Sequence, residues 1–449
     1  MYDPLLLPEL REMMLENDAH GMHEFCEVLH PAQVAENLEA LTNDEIWHVL
    51  SYTSVAKQGE IFEFINLERQ KELVATVDQP RLSLLIEQMA PDDRVDLLKK
   101  LDMEQVERLL PLVAAAERQD IRRLLSYPEH SAGSIMTTEY ATLPENISVG
   151  EAIQQLRQQA PNRETIYYIY VVDEERHLRG LVSLRKLILA KVDTPLSKII
   201  ERDVISVRVD DDQEKVAQTI ARYDFIALPV VDDQNRMVGI ITHDDALDVM
   251  QQEATEDINR MGAVGTLEQS YLTTPFFTLA WKRGLWLVVL FGAAFLTSSI
   301  LNAYQDVSAM YPWIVAFIPL VIASGGNAGS QSATLVIRTL ALGESRPDNW
   351  HHIVWREIRM GLLLGLALGA VGFLPALVLT RWHGAVVVSS TVILVVTLGT
   401  LIGSLLPMAF RRMGMDPALM SNPLIAALSD FTGIILYYSL VIVVLGTKA

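Results

Sequence analysis

The sequence predicts a multidomain membrane protein: an all-α superhelical N-terminal domain, a tandem pair of α/β modules, a connecting helix and a five-helix transmembrane domain. Three observations predict it. The formal net charge of -20 is divided unevenly, with 50 acidic and 26 basic residues up to Ser270 and 6 acidic and 10 basic residues after it. The second part carries five long, almost chargeless runs. In the middle, a pattern from Val171 to Ser183 returns at Val230 to Thr242, an offset of 59 at every position. A chain of 449 residues exceeds one hydrophobic core, so several domains are expected. We place them at 1–128 (superhelix), 129–193 and 194–250 (the two modules), 251–280 (connecting helix) and 281–449 (transmembrane domain).

From about Glu24 to Leu125 apolar residues recur at i, i+3 and i+4 in short runs: Val34–Ala40, Asp44–Tyr52, Ala56–Phe64, Gln70–Val77, Pro80–Gln88, Pro91–Leu98 and Met103–Leu112. Each run opens near a Pro, Asp, Asn or Thr start signal, and no strand signal interrupts them. A stack of small helices wound into a docking superhelix follows. Met1 to Leu29 carries Asp, Glu and His with no apolar core, so no secretory signal is expected and this half is placed in the cytoplasm. The single cysteine, Cys26, excludes an intrachain disulfide and a thiolate metal cluster. The acidity argues against nucleic acid, whose phosphates it would repel, and leaves cations as partners.

Each copy of the repeat reads as strand, acidic turn, Gly, strand, Ser/Thr, helix. Before each lies a strand-like segment (Tyr140–Leu143; Val204–Val209) and an amphipathic helix (Val149–Gln159; Gln213–Arg222). The tandem resembles a pair of CBS domains, which pack pseudo-symmetrically and often hold adenine nucleotides. Ser134 to Thr137 resembles the usual opening of the motif. The closing pattern is present in the second copy as Gly239, Thr242 and Asp245. In the first copy Lys186 stands where the aspartate that takes the ribose hydroxyls would be. In similar proteins residues placed as Tyr168 and Arg185 stack a base and meet phosphate, so ATP is a candidate ligand there. Without the aspartate, Ser183, Tyr168 and Arg185 read more often as structural residues than as ligands.

Between the second module and the first chargeless run, Glu253 to Met261 forms an acidic helix positioned to transmit motion. The runs between Arg283 and Asp306, Asp306 and Arg338, Arg359 and Arg381, and Arg381 and Arg411 hold 22, 31, 21 and 29 uncharged residues. After Asp416 the chain reaches Thr447 with one charge, Asp430. A bilayer crossing needs about 20 apolar residues, so these are five spans. With the acidic half inside, the inner side collects Lys282, Arg283, Arg338, Arg346, Arg356, Arg359, Arg411 and Arg412, and the outer side keeps Arg381 and Lys448. That bias sets a cytoplasmic N-terminus and an extracytoplasmic C-terminus in a multi-pass protein of the cell (inner) membrane. Trp281, Trp286, Trp313, Trp350, Trp355 and Trp382 lie near the span ends, as interfacial aromatics do.

Function is sought in the polar residues at membrane depth. Asp430 reads as the one ionisable side chain well inside a span, roughly 10 Å from the inner end at 1.5 Å per residue. It must face water, a cation or a partner. Ser324 to Ser332 reads as an interruption of the second span by small and amide residues, and Asp416 to Pro423 as a break before the last. Freed carbonyls with amide and hydroxyl oxygens suit a hard cation. Close helix packing is the other reading of Gly325, Gly326 and Gly329, and the two are compatible.

Helical superhelix, CBS pair, connecting helix and five spans, with GGNAGSQSATL, DPALMSNP and LSDFTG inside the membrane, resemble the MgtE family of magnesium transporters over essentially the whole chain. The resemblance implies a homodimer in the lipid bilayer, a pore between subunits, Asp430 as the ion-selecting carboxylate, and Asn327, Asp416 and Asn422 near the ion path. It implies Mg2+ as cargo and as regulator, bound among Glu60, Asp92, Asp245, Asp248, Glu253, Glu256 and Asp257. Each of these alone reads equally as a solvated surface charge. Low Mg2+ would leave the acidic faces repelling and the connecting helix free; Mg2+ bridging them would close the pore, given a higher affinity for the closed state. The alternatives are a membrane sensor that conducts nothing and a broader carrier of Co2+ or Mn2+. No nucleophile–base constellation suggests an enzyme: His351, His352 and His383 are read as loop residues.

Overall fold

The computed structural model describes residues 6–101, 103–112, 115–267, 271, 274–341, 350–419 and 422–446. Arg346, Met420, Ser421 and Lys448, named above, lie outside them. The chain divides into two compact units, Met1–Gln251 and Gln252–Ala449.

The first unit opens with α1 (Leu6–Glu16), α2 (Ala19–Val28), α3 (Pro31–Leu38), α4 (Asn43–Leu50), α5 (Val55–Glu63), α6 (Leu67–Thr76), α7 (Gln79–Gln88), α8 (Pro91–Lys100), α9 (Met103–Leu109) and α10 (Ala115–Leu125). The start signals work as side-chain caps: the Thr42 hydroxyl accepts from Glu45 N while Glu45 reaches back to Thr42 N. Such boxes satisfy amides that a helix end leaves orphaned. The apolar stripes meet in one core around Leu38, Ile46, Leu50, Ile61, Phe62, Leu73 and Leu85. Trp47 anchors it, stacked on Phe62 and donating from Nε1 to the Leu73 carbonyl at 3.3 Å.

The repeat then forms two three-stranded sheets. The first module contains β1 (Tyr140–Pro144), α11 (Val149–Gln159), β2 (Thr165–Val172), β3 (Leu178–Ser183) and α12 (Leu184–Leu189). The second contains β4 (Val207–Arg208), α13 (Gln213–Tyr223), β5 (Ala227–Val231) and β6 (Met237–Thr242). In both, the first strand runs parallel to the second and the second antiparallel to the third. The symmetry extends to detail. Arg176 and Asn235, equivalent by the offset, both take a left-handed turn conformation, with φ of 68° and 61°. Leu178 N donates to the Asn235 carbonyl and Met237 N to the Arg176 carbonyl, which joins the two acidic turns. The predicted strand at Val204–Val209 is shorter than expected, only Val207–Arg208.

The N-terminal helices pack on this pair: Val95 and Leu124 are buried in one cluster with Val216, Ile220 and Ile241, and Lys99 donates to the Ser134 carbonyl at 3.2 Å. The acidic connecting helix is not a separate element. It continues the last module helix as α14 (His243–Met261), because no Gly or Pro breaks the chain between Asp245 and Met261.

The second unit holds α15 (Phe276–Ala303), the short α16 (Gln305–Met310), α17 (Trp313–Ala341), α18 (Trp350–Leu379), α19 (Trp382–Arg412) and α20 (Asn422–Leu445). Five of these are long and apolar enough to cross a membrane. His351, His352 and His383, expected in loops, lie in the first turn or two of α18 and α19.

One expectation is corrected. Ser324–Ser332 does not interrupt its span: α17 is helical through it. In lipid every backbone amide must find a partner inside the segment, which outweighs the low helix preference of Gly, Ser and Asn in water. The glycines serve packing instead. A Cβ on Gly399 or Gly403 of α19 would overlap the carbonyl oxygen of Gly325 or Gly329, so the two backbones touch. On the other side of α19, a Cβ on Gly361 would stand 2.6 Å from Thr400 Oγ1 and one on Gly365 2.8 Å from the Ile393 carbonyl oxygen. Before the last span the chain makes a 3-10 turn at Pro417–Leu419, while Asn422 and Pro423, expected in the break, already belong to α20.

Candidate ion path and cation-binding sites

Asp430 lies eight residues into α20, about 12 Å from its first residue. A Cβ on Gly326 would stand 3.2 Å from its Oδ1, so the carboxylate rests over bare backbone of α17. It is half-buried, and among the described residues no protein donor or cation meets it. A carboxylate at membrane depth is stable only against water, a cation or a partner. Asn327, the next residue on α17, is exposed, in line with Ala323, Gln331 and Leu335 at four-residue steps. That stripe points away from the helices α17 packs against.

Asn422 starts α20 and fastens it to α17: its Nδ2 donates to Thr334 Oγ1 at 3.2 Å, and its carbonyl accepts from Ser330 Oγ at 3.2 Å. Asp416 accepts from Ala418 N at 2.8 Å, which turns the chain into the 3-10 turn. Its other oxygen is ion-paired with Arg260 of α14, whose guanidinium also holds Glu256. Arg260 played no part in the sequence expectation, yet it neutralises two of the carboxylates named there. Thr266 Oγ1 also donates to Glu256, at 3.1 Å. Asp257 lies on the same stretch; burial and the neighbouring Glu253 push its carboxyl above the usual range, against the pull of Arg260.

In the first unit, Asp92 at the start of α8 and Asp245 in the first turn of α14 come together. Asp245 accepts from Thr242 Oγ1 at 2.5 Å. Asp92 Oδ1 is buried without a hydrogen-bond partner among the described residues. Burial drives the Asp92 carboxyl well above the carboxylate range, and Asp245, Asp93 and Glu164 add to it. Asp245 is pushed up to about 6 by burial and by Asp244, against the Thr242 hydrogen bonds. Burial also raises Glu63, although it accepts from Ala90 N at 2.6 Å. Glu63, Asp93, Glu164 and Asp244 were missing from the sequence expectation, because only packing of α8 against the module pair brings them together. Glu60 stands outside this knot, exposed and paired with Lys57 at 2.8 Å. Asp248 is exposed, and its carboxyl is raised by burial on one side and by Asp244. Among the described residues no three His, Cys, Asp or Glu side chains form a ready-made metal cage. Mg2+ needs none, since it keeps most of its waters and takes one or two carboxylates. Two adjacent acids, one with an orphaned buried oxygen, fit it.

At the nucleotide-type site Tyr168 is half-buried on β2, opposite Ser183 in register, and Arg185 is exposed. Ser183 caps α12 by accepting from Lys186 N at 3.3 Å. Lys186 itself is tied to Glu201 at 2.5 Å.

Comparison with known proteins places this geometry. The MgtE divalent cation transporter model matches residues 318–440, the MgtE intracellular N domain 29–130, and the CBS domain 132–193 and 196–252. The chain is 39% identical over 439 residues to the magnesium transporter MgtE of Thermus thermophilus, covering 97% of each chain. It belongs to the MgtE family. The MgtE of Bacillus subtilis is 31% identical over 446 residues, covering 98% of this chain and 97% of its own. The crystal structure of the cytosolic domain of the Mg2+ channel MgtE in complex with ATP matches with a TM-score of 0.52 at 39% identity, covering 54% of this chain and 99% of that one. The soluble part of a magnesium transporter matches with a TM-score of 0.53 at 38% identity, over 55% and 98%. The helical N-terminal region, the CBS pair and the five membrane helices are therefore the MgtE arrangement.

Proposed function

We propose that this chain carries Mg2+ into the cell down its electrochemical gradient, past Asp430, and that cytoplasmic Mg2+ bound at its acidic sites closes the path. The observation that carries the reading is Asp430: a membrane-depth carboxylate over Gly326, with no protein partner among the described residues. Two chains around a twofold axis would bring two such carboxylates together, with the stripe of Asn327 and Gln331 lining the gap. Asn422 sets the height of α20 against α17, and Asp416 sits at the inner mouth. Hydrated Mg2+ suits one carboxylate per chain better than Ca2+, which takes six to eight oxygens. The membrane potential supplies about 4.6 kcal/mol per 100 mV for a divalent ion. Closure is assigned to Mg2+ at Asp92 and Asp245, with Glu60, Asp248, Glu253, Glu256 and Asp257 as outer contributors. ATP, in this reading, meets Tyr168 and Arg185 alone, without an aspartate at position 186. The orientation follows the basic residues, N-terminus inside.

Proteoliposomes test both halves of the proposal. Uptake selective for Mg2+ at zero internal Mg2+, shut by a few millimolar inside, is the expected result. Uptake indifferent to internal Mg2+ overturns the sensor; Co2+ or Mn2+ carried equally well favours the broader carrier; no uptake favours a sensor that conducts nothing.

The Asp92–Asp245 knot gives a second expected outcome. The Asp245 carboxyl is held at about 6 in the fold, above its ordinary value near 3.9. The folded state therefore binds the extra proton, and its contribution is complete at low pH and lost as pH rises through about 6. In chelator, the cytoplasmic melting transition of the full chain should rise as pH falls from 8 to 5, and Mg2+ at pH 8 should substitute for the proton. Asp92→Asn with Asp245→Asn should weaken both dependences, leaving the part that Asp93, raised to about 8, and Glu164, raised to about 7 by burial, contribute. A transition that falls steadily with acidification would contradict this.

A further inference from the structure

Glu357 is an acid near the inner end of a membrane helix, seven residues into α18, and the ion path and cation-binding sites leave it without a role. Its Oε2 accepts from Ser332 Oγ of α17 at 2.7 Å. Ser332 is 3% exposed, and its hydroxyl also lies 2.9 Å from the Thr400 carbonyl of α19. Thr400 Oγ1 in turn reaches the Glu357 carbonyl at 3.3 Å. Three helices thus meet at one acid. Arg356 and Arg359 flank it in sequence, but both are exposed and no ion pair joins either to Glu357 among the described residues. A carboxylate that holds a buried hydroxyl lying between two other helices, with no cation paired to it among the described residues, makes a charge-assisted bond placed to set how those helices sit.

Its place along α17 indicates which function. Ser332 follows Gly326, the backbone under Asp430, by six residues, or about 9 Å toward the inner end. It also follows Gln331 directly, about 100° around the helix. Fixing Ser332 inward against Glu357 therefore fixes Ala323, Asn327, Gln331 and Leu335 outward. The glycine contacts with α19 set how close α17 comes, but a glycine has no side chain with which to set rotation.

We propose that Glu357 is a positioning residue: its hydrogen bond to Ser332 holds the rotation of α17 that presents Asn327 and Gln331 to the ion path. This rests on the transport reading for its consequence, though not for its geometry, so the test has two readouts. The first is the rate at which a membrane-impermeant thiol reagent labels Gln331→Cys in the full-length protein, where the native Cys26 is buried. Glu357→Ala and Ser332→Ala should each change that rate about tenfold or more, the scale of one charge-assisted hydrogen bond. The double substitution should be no worse than either alone, because both remove the same bond. Glu357→Gln, which keeps an acceptor, should stay within about threefold. The second readout is the uptake ratio of Mg2+ to Co2+, which should shift in Glu357→Ala and be retained in Glu357→Gln. Labelling unchanged in Glu357→Ala overturns the proposal, as does additivity of the two alanines. Loss of uptake in Glu357→Gln with labelling intact overturns it too, since the charge itself would then serve the ion. Wild-type protein without uptake sinks the transport reading alone, and the labelling rates still decide the geometry.

Discussion

Asp430→Ala is expected to reduce Mg2+ uptake into proteoliposomes at least a hundredfold, with the protein still folded. A unit charge about 4 Å from a divalent ion contributes about 8 kcal/mol at an effective dielectric constant of 20. The hundredfold loss expected corresponds to about 2.7 kcal/mol, roughly a third of that. Gly326 is what makes the site specific to this acid. With no side chain beneath it, the carboxylate has no protein donor to satisfy it among the described residues, and its negative charge is left for the ion. Asp430→Asn is the sharper variant, because it keeps the volume and removes the charge. Wild-type uptake in the asparagine variant, with size-exclusion behaviour unchanged, would mean that the ion passes elsewhere.

Gly403→Val should cost more stability than the same change at any other described glycine of the membrane domain. The atoms facing its missing Cβ are backbone: the Gly329 carbonyl oxygen in overlap, the Gly329 carbonyl carbon at 2.9 Å and Ala333 N at 3.1 Å. None of these can rotate aside. Overpacking in a dense core costs about 1–3 kcal/mol when side chains can yield, and here the helices themselves must part. We expect the purified variant to lose its folded fraction on heating well below the wild type, or not to accumulate. Gly292→Ala is the control: no atom lies within 4 Å of its Cβ position. It should be neutral or slightly stabilising, by up to about 1 kcal/mol from helix propensity. Equal melting temperatures for Gly403→Val and Gly292→Ala would refute the backbone contact.

Much of this was legible in the residues. The five spans followed from charge alone, because a bilayer admits almost nothing else over twenty residues. The CBS pair followed from a repeat whose acidic turns and glycines recur at one fixed offset. What misled was composition read without its solvent. Ser324–Ser332 has the residues of a loop in water, but in lipid it is a helix whose glycines admit another helix. Glu357 was passed over because Arg356 and Arg359 mark its segment as a membrane border, and only packing sets it against Ser332. Arg260 was read as one more residue of an acidic helix, and only folding sets it against Asp416. The company of Asp92 was similarly illegible, because Glu164 and Asp245 reach it from distant stretches of chain.

The seam between α17 and α19 also limits how the membrane domain can work. Two backbones in contact at Gly325–Gly399 and Gly329–Gly403 cannot slide by a residue without a larger side chain entering the seam. Packed elements of this kind move as one body, and shear is confined to interfaces with side chains able to change rotamer. Within one chain, the freedom to open and close is thereby left to α15 and to α20, whose tie to α17 is made by the side chains of Ser330, Thr334 and Asn422.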